Sequence, residues 1–170
     1  PSKPWARVDD FNSLPTQGLH EWRTWIDAAL NQGKVQLYFQ PVVECAAPQN
    51  ILHRKVLARL LDPQGEAIAA GRFLPWIERL GWLARFDLAM LEHSLRHLSQ
   101  YPQPLALSLS AATLREPASL ARLLALLKNH PQHASLLTLE VDERHLPPAA
   151  ELERFSQAVR ETGYQLGLQH

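Results

Sequence analysis

A repeat of strand-like and helix-like segments in the second half of the chain most limits the folds open to it. The pattern predicts strands at 105–111, 136–143 and 164–169, separated by helices at 118–129 and 149–162. Successive strands begin about 30 residues apart, the length of a strand–helix–strand unit, so we expect a parallel sheet with helices packed outside it. The predicted fold class is therefore α/β.

The first half of the chain adds an antiparallel pair of strands and three helices. Two short runs rich in valine, leucine and aromatic residues predict strands at 35–43 and 55–61, and their short connection predicts antiparallel pairing. Apolar residues at helical spacing predict helices at 20–30, 72–82 and 85–100.

Composition and charge exclude several classes of partner. The 17 lysines and arginines balance the 17 aspartates and glutamates, and no run of like charge stands out, so we expect no nucleic acid polymer as a partner. Cys45 is the only cysteine, which excludes an internal disulfide. No apolar run approaches the roughly 18 residues of a membrane span. Any anionic ligand is therefore expected to be small and locally bound.

Polar side chains are predicted to meet at the ends of the strands. Alternate residues of a strand share a face, so Lys55, Leu57 and Arg59 should point the same way, beside Gln40 at the end of the neighbouring strand. In α/β barrels, the ends of the strands are where ligands bind. Further polar residues lie at the ends of the later strands: Ser108, Glu140, Glu143, Gln169 and His170.

Six motifs follow one another between Gly33 and the C-terminus: LYFQPVV at 37–43, KVLARL at 55–60, FLPWIE at 73–78, FD at 86–87, LSLS at 107–110 and LEVDE at 139–143. Taken together, this series resembles the EAL family of cyclic-di-GMP phosphodiesterases. The resemblance implies a TIM-like barrel with one antiparallel strand, truncated after the fifth strand. Residues 33–170 would be the N-terminal portion of that barrel, and residues 1–32 a linker and connecting helix from an upstream domain.

The metal-ligand positions that this resemblance implies are mostly changed. The family hydrolyses a phosphodiester with water held by two divalent cations. Lys55 stands at the position of the motif glutamate, and Ser108 at that of an asparagine. Gln169 and His170 replace two aspartates, so only Glu140 remains as a ligand. Because an ammonium group repels a cation, we predict no metal site and no catalytic residues, and hence a degenerate domain that is not an enzyme.

The nucleotide-holding positions are retained, and the ligand they imply is cyclic-di-GMP, with no cofactor. The resemblance places Arg59 on a phosphate and Asp87 on a guanine edge. Lys55 is predicted to replace the missing metal as a counter-charge to the phosphate, unless it pairs with Glu140 instead. The predicted ligand-binding residues are Gln40, Lys55, Leu57, Arg59, Pro75, Asp87 and Glu140.

The Lys-Val-Leu sequence at 55–57, together with Gln169 and His170, resembles the LapD type of receptor within this family. That type implies a cytoplasmic domain of a bacterial inner-membrane protein, with an upstream degenerate GGDEF domain and a homodimer formed through the barrel. Ligand binding would then be relayed to a periplasmic protease that controls biofilm adhesion. Two alternatives remain open: a weakly active cyclic-di-GMP phosphodiesterase, and a protein-interaction scaffold that no longer binds nucleotide.

Other patterns favour structural roles. His93 and His97 are four residues apart on one predicted helix and could share a metal, but a solvated face is the better interpretation. Trp22 and Trp25 are expected to pack in the core. Glu143 is expected to anchor a loop, the role that the second glutamate of the family motif suggests.

Overall fold

The computed structural model describes residues 16–62, 64–142 and 146–169. Within these ranges the chain forms a mixed sheet and helices that pack mainly on one of its faces. In chain order the elements are α1 (Thr16–Asn31), β1 (Val35–Glu44), β2 (Ala47–Leu61), β3 (Ala67–Ala69), α2 (Ala70–Leu80), α3 (Leu83–Gln100), β4 (Leu105–Leu109), α4 (Ala111–Arg115), α5 (Pro117–Lys128), a 3-10 turn (Pro131–His133), β5 (Leu137–Asp142), α6 (Ala149–Arg160) and β6 (Gln165–Gln169).

The sheet has the order β1-β2-β4-β5-β6, with β3 paired to β2 beside that path. β2, β4, β5 and β6 are parallel to one another, and β1 is antiparallel to β2. This confirms the predicted α/β class, the parallel repeat and the reversed first strand. The three-residue β3 is a second antiparallel strand that the sequence pattern did not predict.

The hairpin of β1 and β2 is longer than predicted, and the placement of Gln40 at the end of its strand is wrong. β1 continues to Glu44, and Pro41 pairs with Arg54 inside the ladder. Proline has no N–H to donate, but it is tolerated here because β1 lies at the edge of the described sheet. The stretch expected to be a loop before residue 55 is the first half of β2.

The predicted strand at 105–111 also ends early, because the chain turns into a helix after Leu109. β4 stops at Leu109, and Ser110 is the N-cap residue of the short helix α4. The two residues assigned to the strand end instead begin this helix. Neither α4 nor the 3-10 turn was predicted, since five- and three-residue elements are too short to show a helical period.

Helix α1 packs firmly against the rest of the fold. Trp22 and Ile26 are buried, and the Trp22 ring stacks on that of Trp76 in α2 with 5.3 Å between ring centroids. The indole N–H of Trp25 donates to the backbone oxygen of Leu61 at 3.0 Å. The prediction that both tryptophans pack in the core is therefore confirmed, although Trp25 is only half-buried. The assignment of residues 1–32 to a linker and connecting helix stays a prediction, and residues 1–15 lie outside the described ranges.

Alternation along the strands separates the sheet into two faces. One face packs under the helices and forms the core, with buried Val56, Leu107 and Leu139 among its residues. The opposite face is partly open and carries most of the polar side chains of the strands. We call this second face the inner face; it is defined by Tyr38, Gln40, Lys55, Leu57, Arg59, Ser108 and Glu140. No helix in the described ranges combines the length and apolar character needed to cross a membrane.

Candidate functional site

Strand register brings five of the predicted ligand-binding residues onto the inner face: Gln40, Lys55, Leu57, Arg59 and Glu140. Gln40 of β1 pairs with Lys55 of β2, and Lys55 is level with Ala106 of β4. One layer further along, Ser108 of β4 is level with Glu140 of β5. Arg59 lies four residues beyond Lys55 on the same face of β2. The inner face therefore combines an amide, two cations, a hydroxyl and a carboxylate, as the alternation of the strands predicted.

The two cations of the inner face have no partner of opposite charge within the ranges that the structure describes. Lys55 and Arg59 are half-buried, and neither forms a hydrogen bond or ion pair with any residue in the described parts of the chain. The Arg59 guanidinium instead lies over the ring of Tyr38, 4.0 Å from its centroid. The alternative in which Lys55 pairs with Glu140 is not formed. Both cations thus keep their donors available to an anion.

A cavity of about 710 Å³ opens where β2 and β4 end against α2, α3 and α4. A cavity of this size is in the range that small-molecule ligands occupy. Its wall is apolar for the most part, with a few charged and hydroxyl side chains. Leu57 and Asp87 are the predicted site residues that line it, and the polar groups beside them are Glu78, Ser108, Ser110, Arg115 and Asp142.

Asp87 is the most deeply buried carboxyl group of the candidate site, only 6% exposed. Its Oδ2 accepts three hydrogen bonds: from the Ser110 backbone N–H at 2.7 Å, the Ser110 hydroxyl at 2.9 Å and the Thr113 hydroxyl at 2.6 Å. Burial raises the pKa of Asp87 to about 6, and the bonds from Ser110 and Thr113 only partly oppose this rise. Asp87 therefore ties α3 to the junction of β4 and α4, and a ligand would have to use its other oxygen, Oδ1.

The remaining predicted residues lie away from the cavity wall or outside the described ranges. Pro75 is half-buried within α2, and its neighbour Leu74 lines the cavity in its place. Gln40, Lys55, Arg59 and Glu140 lie on the inner face, outside the cavity lining. The structure thus divides the predicted site into an open inner face and a more enclosed cavity, and Leu57 and Ser108 belong to both. Three residues fall where no side chain is described: Glu143, Gln169 and His170.

The residues present at the predicted metal position do not suit a divalent cation. Mg²⁺ and similar hard cations need several oxygen donors with negative charge. Among the described residues, the inner face offers the carboxylates of Glu140 and Asp142 and the Ser108 hydroxyl, while Lys55 contributes a positive charge in place of a ligand. Over the described ranges, no three or more His, Cys, Asp or Glu side chains gather as a metal site would require.

Sequence reasoning missed two features of the site. The first is the contact of Tyr38 with Arg59. Tyr38 lies two residues before Gln40 on β1, so the alternation of side chains along the strand already predicts that both lie on the inner face. Ser110 and Thr113 hold Asp87 from a separate part of the chain, and no spacing rule links residues 87 and 110.

The interpretation of His93 and His97 as a solvated face is wrong for His97. The His97 ring packs on Phe39, with 4.5 Å between centroids, and on Tyr101. The amide nitrogen of Gln103 lies 3.2 Å from its Nε2. Burial lowers the pKa of His97. The long hairpin covers this side of α3, and the helical pattern alone could not predict that contact.

Comparison with known proteins identifies relatives of this chain. The family model described as "EAL domain" matches residues 23–170. Among curated proteins, the chain is 28% identical over 116 residues to the RNase E specificity factor CsrD of Escherichia coli, an overlap of 66% of this chain and 17% of CsrD. It is 29% identical over 136 residues to the probable cyclic di-GMP phosphodiesterase PdeA of the same organism, covering 77% of this chain and 18% of PdeA. The chain thus spans less than a fifth of either relative.

Solved structures share the fold. Vibrio cholerae LapD, as its S helix-GGDEF-EAL fragment bound to c-di-GMP, superposes with a TM-score of 0.77 at 22% identity, over 89% of this chain and 37% of that one. The FimX EAL domain of Pseudomonas aeruginosa bound to c-di-GMP gives 0.73 at 24% identity, over 88% and 62%. These matches confirm the predicted TIM-like barrel architecture of EAL type. With the family model matching most of its length, the chain belongs to the EAL domain family.

Proposed function

We propose that this chain is a receptor domain that binds cyclic-di-GMP without a metal ion and does not hydrolyse it. The observation that carries the proposal is the ammonium group of Lys55 on the inner face, which has no partner among the described residues and lies beside Gln40, on the same strand face as Arg59. A site that hydrolyses the phosphodiester through metal-bound water has to attract divalent cations. This inner face favours an anion at the same place.

Electrostatics favour a phosphate over a metal ion near Lys55. Two opposite unit charges about 4 Å apart gain about 4 kcal/mol at an effective dielectric constant of 20, and two like charges lose as much. Because Lys55 is half-buried, solvent screens part of this energy. Even a fraction of it changes an affinity measurably, since 1.4 kcal/mol corresponds to a factor of ten.

The relatives support the choice of ligand. The LapD fragment and the FimX EAL domain have both been solved with c-di-GMP bound. In the proposed complex, Arg59 and Lys55 contact phosphate, Gln40 and Glu140 complete the inner face, and Leu57, Pro75 and Asp87 lie toward the guanine. Glu140, without a metal to neutralise it, is expected to accept a hydrogen bond from the ligand rather than to lie against its phosphates.

The wider setting of the domain is proposed by analogy with LapD, whose solved fragment joins an S helix, a GGDEF domain and an EAL domain. We place the chain in the cytoplasmic part of a bacterial inner-membrane protein, downstream of a degenerate GGDEF domain and paired with a second copy. In this setting α1 transmits ligand occupancy, and the full protein controls a periplasmic protease and biofilm adhesion. Size-exclusion chromatography with and without ligand tests the pairing.

Calorimetric titration with cyclic-di-GMP tests the function directly, in parallel samples containing Mg²⁺ or EDTA. We expect equal affinity in both samples, with no linear dinucleotide detected by chromatography after prolonged incubation with Mg²⁺ or Mn²⁺. Lys55→Ala should weaken binding by about tenfold, because a charged hydrogen bond is lost. Lys128→Ala, an exposed lysine at the end of α5, is the matched control and should have no effect.

Each contrary result selects one of the alternatives. Steady production of the linear dinucleotide would make the domain a phosphodiesterase and end the proposal. A flat titration at high ligand concentration would favour a scaffold that no longer binds nucleotide. Binding that is lost in EDTA would show that a cation is still required and that Lys55 does not replace it.

A further inference from the structure

Tyr38 is an exposed aromatic residue on the inner face. Packing within the fold does not explain why an aromatic side chain lies there. It pairs with Leu57 across the β1–β2 ladder, and its side chain is 46% exposed. Its hydroxyl group makes no hydrogen bond to any residue of the described ranges. The contact that it does make is with Arg59, whose guanidinium carbon lies 4.0 Å from the centre of the ring.

The position of Arg59 explains why such a contact matters. Arg59 pairs with Gln36 on one side and with Ala69 of β3 on the other, so its backbone is held between two strands. Its side chain reaches back diagonally to Tyr38, a separation that long side chains span in an antiparallel pair. No carboxylate in the described ranges fixes the guanidinium, so the aromatic ring is what restrains it.

Other arginines of the fold are restrained differently. Arg54, on the same strand but on the opposite face, donates to the side-chain oxygen of Gln103 at 3.0 Å. Arg85 forms an ion pair with Asp27 at 2.8 Å. These donors are already used within the protein. Stacking on a ring, in contrast, orients a guanidinium while leaving its N–H groups free to donate to two oxygens of one anion.

We infer that Tyr38 is a positioning residue for anion binding: its ring holds the plane of the Arg59 guanidinium so that the N–H groups present a preformed fork to a phosphate of the ligand. This inference rests on the proposed function, because it concerns the same ligand. The contact of Tyr38 with Arg59 should raise the affinity for the ligand, because Arg59 has already lost rotamer freedom before the ligand binds and the loss no longer opposes binding. The ring is the needed group, and the hydroxyl is dispensable.

The test is a double-mutant cycle on the affinity for cyclic-di-GMP, measured by calorimetry on the intact chain. Tyr38→Leu should weaken binding by about fivefold, and Tyr38→Phe, which keeps the ring, should restore the affinity to within about twofold of the parent. In an Arg59→Ala background, Tyr38→Leu should have no further effect. Tyr38→Thr, with a side chain suited to strands, is the second variant should leucine impair folding. Thermal unfolding of each variant is the control for fold integrity.

The outcomes separate this inference from the proposed function. If the parent protein binds and Tyr38→Leu binds equally well, the inference is wrong and the function stands. If Tyr38→Leu weakens binding as much in the Arg59→Ala background, the ring contacts the nucleotide itself and does not act through the arginine. If the parent protein does not bind cyclic-di-GMP at all, the proposed function fails, and the role of Tyr38 fails with it.

Discussion

Replacing Asp87 with asparagine should change how the stability of the fold depends on pH. The carboxyl group is buried beside the candidate ligand cavity and accepts three hydrogen bonds through one oxygen. Two effects compete at this group: burial disfavours the charged form, and hydrogen bonds from Ser110 and Thr113 favour it. In this structure burial is the larger effect, and it raises the pKa to about 6 from an ordinary value of 3.8.

The raised pKa sets both the sign and the size of the expected effect. Between about pH 4 and pH 6 the folded state keeps its proton on Asp87 while the unfolded chain has released it. Stability contributed by this group is therefore present below pH 4 and is lost as pH rises toward 6. A shift of about two pKa units corresponds to about 3 kcal/mol, because each unit is worth 1.36 kcal/mol. Asparagine cannot ionise, so the stability of the Asp87→Asn variant should not fall in this way as pH rises.

Urea unfolding of both proteins at several pH values from 4 to 7.5 measures the difference. The free energy of unfolding of the parent minus that of Asp87→Asn should fall by up to about 3 kcal/mol across this range, since contributions from other titrating groups cancel. Ser94→Ala is the control: Ser94 is buried on the same helix, its hydroxyl donates to the Met90 backbone oxygen, and its difference curve should be flat. A difference that rises with pH would show that the hydrogen bonds outweigh burial and would refute the reasoning.

Two further substitutions test the framework around the site. Gly81→Ala should lower the free energy of unfolding, measured by chemical denaturation, by about 1 kcal/mol, because Gly81 caps α2 with a φ of 75° although no atom crowds its Cβ position. Gly71→Ala, in the first turn of α2, is the control: its Cβ position is also uncrowded, and the substitution should be neutral or stabilising. Equal losses of stability at both positions would contradict the argument from φ. Trp25→Phe should lower the unfolding free energy by about 1 kcal/mol, because it removes the donor to the Leu61 backbone oxygen while keeping an aromatic ring; an unchanged unfolding midpoint would mean that this bond does not secure α1.

The parts of the fold that the sequence predicted are those set by long periodic patterns. The parallel repeat was predicted because each strand and helix after residue 105 buries a regular set of aliphatic residues, and the same alternation placed Lys55 and Arg59 on one face. The predicted strand at 35–43 runs through Pro41 and ends only one residue before β1 does, but whether a proline is tolerated there depends on whether the strand is an edge strand, which is a property of the assembled sheet. The hairpin half before residue 55 was missed because cross-strand pairing, not its own polar composition, makes it a strand.

The candidate site was predictable in its residues but not in its contacts. Asp87 was named as a ligand contact, and the structure adds that Ser110 and Thr113 already occupy one of its oxygens. Those partners lie more than 20 residues away in sequence, so only the packing of α4 against α3 reveals them. Tyr38 shows the opposite case, because the alternation that placed Gln40 on the inner face also places Tyr38 there. What the alternation could not supply is the diagonal reach of Arg59 to the Tyr38 ring.

The division between the inner face and the cavity predicts that substitutions at the two places differ in their cost to stability. Lys55 is half-buried, with no protein partner in the described ranges, so little of the folding energy depends on the identity of that side chain. Asp87, in contrast, is bonded into the junction of two elements, and Thr113 beside it is completely buried. Removing this carboxylate would leave buried donors without an acceptor, which costs about 1–3 kcal/mol for each group. Substitution of Lys55 should therefore cost little stability, whereas substitution of Asp87 should cost more. Under the proposed function, this difference would allow hydrolysis to be lost while the residues proposed to hold the nucleotide are kept.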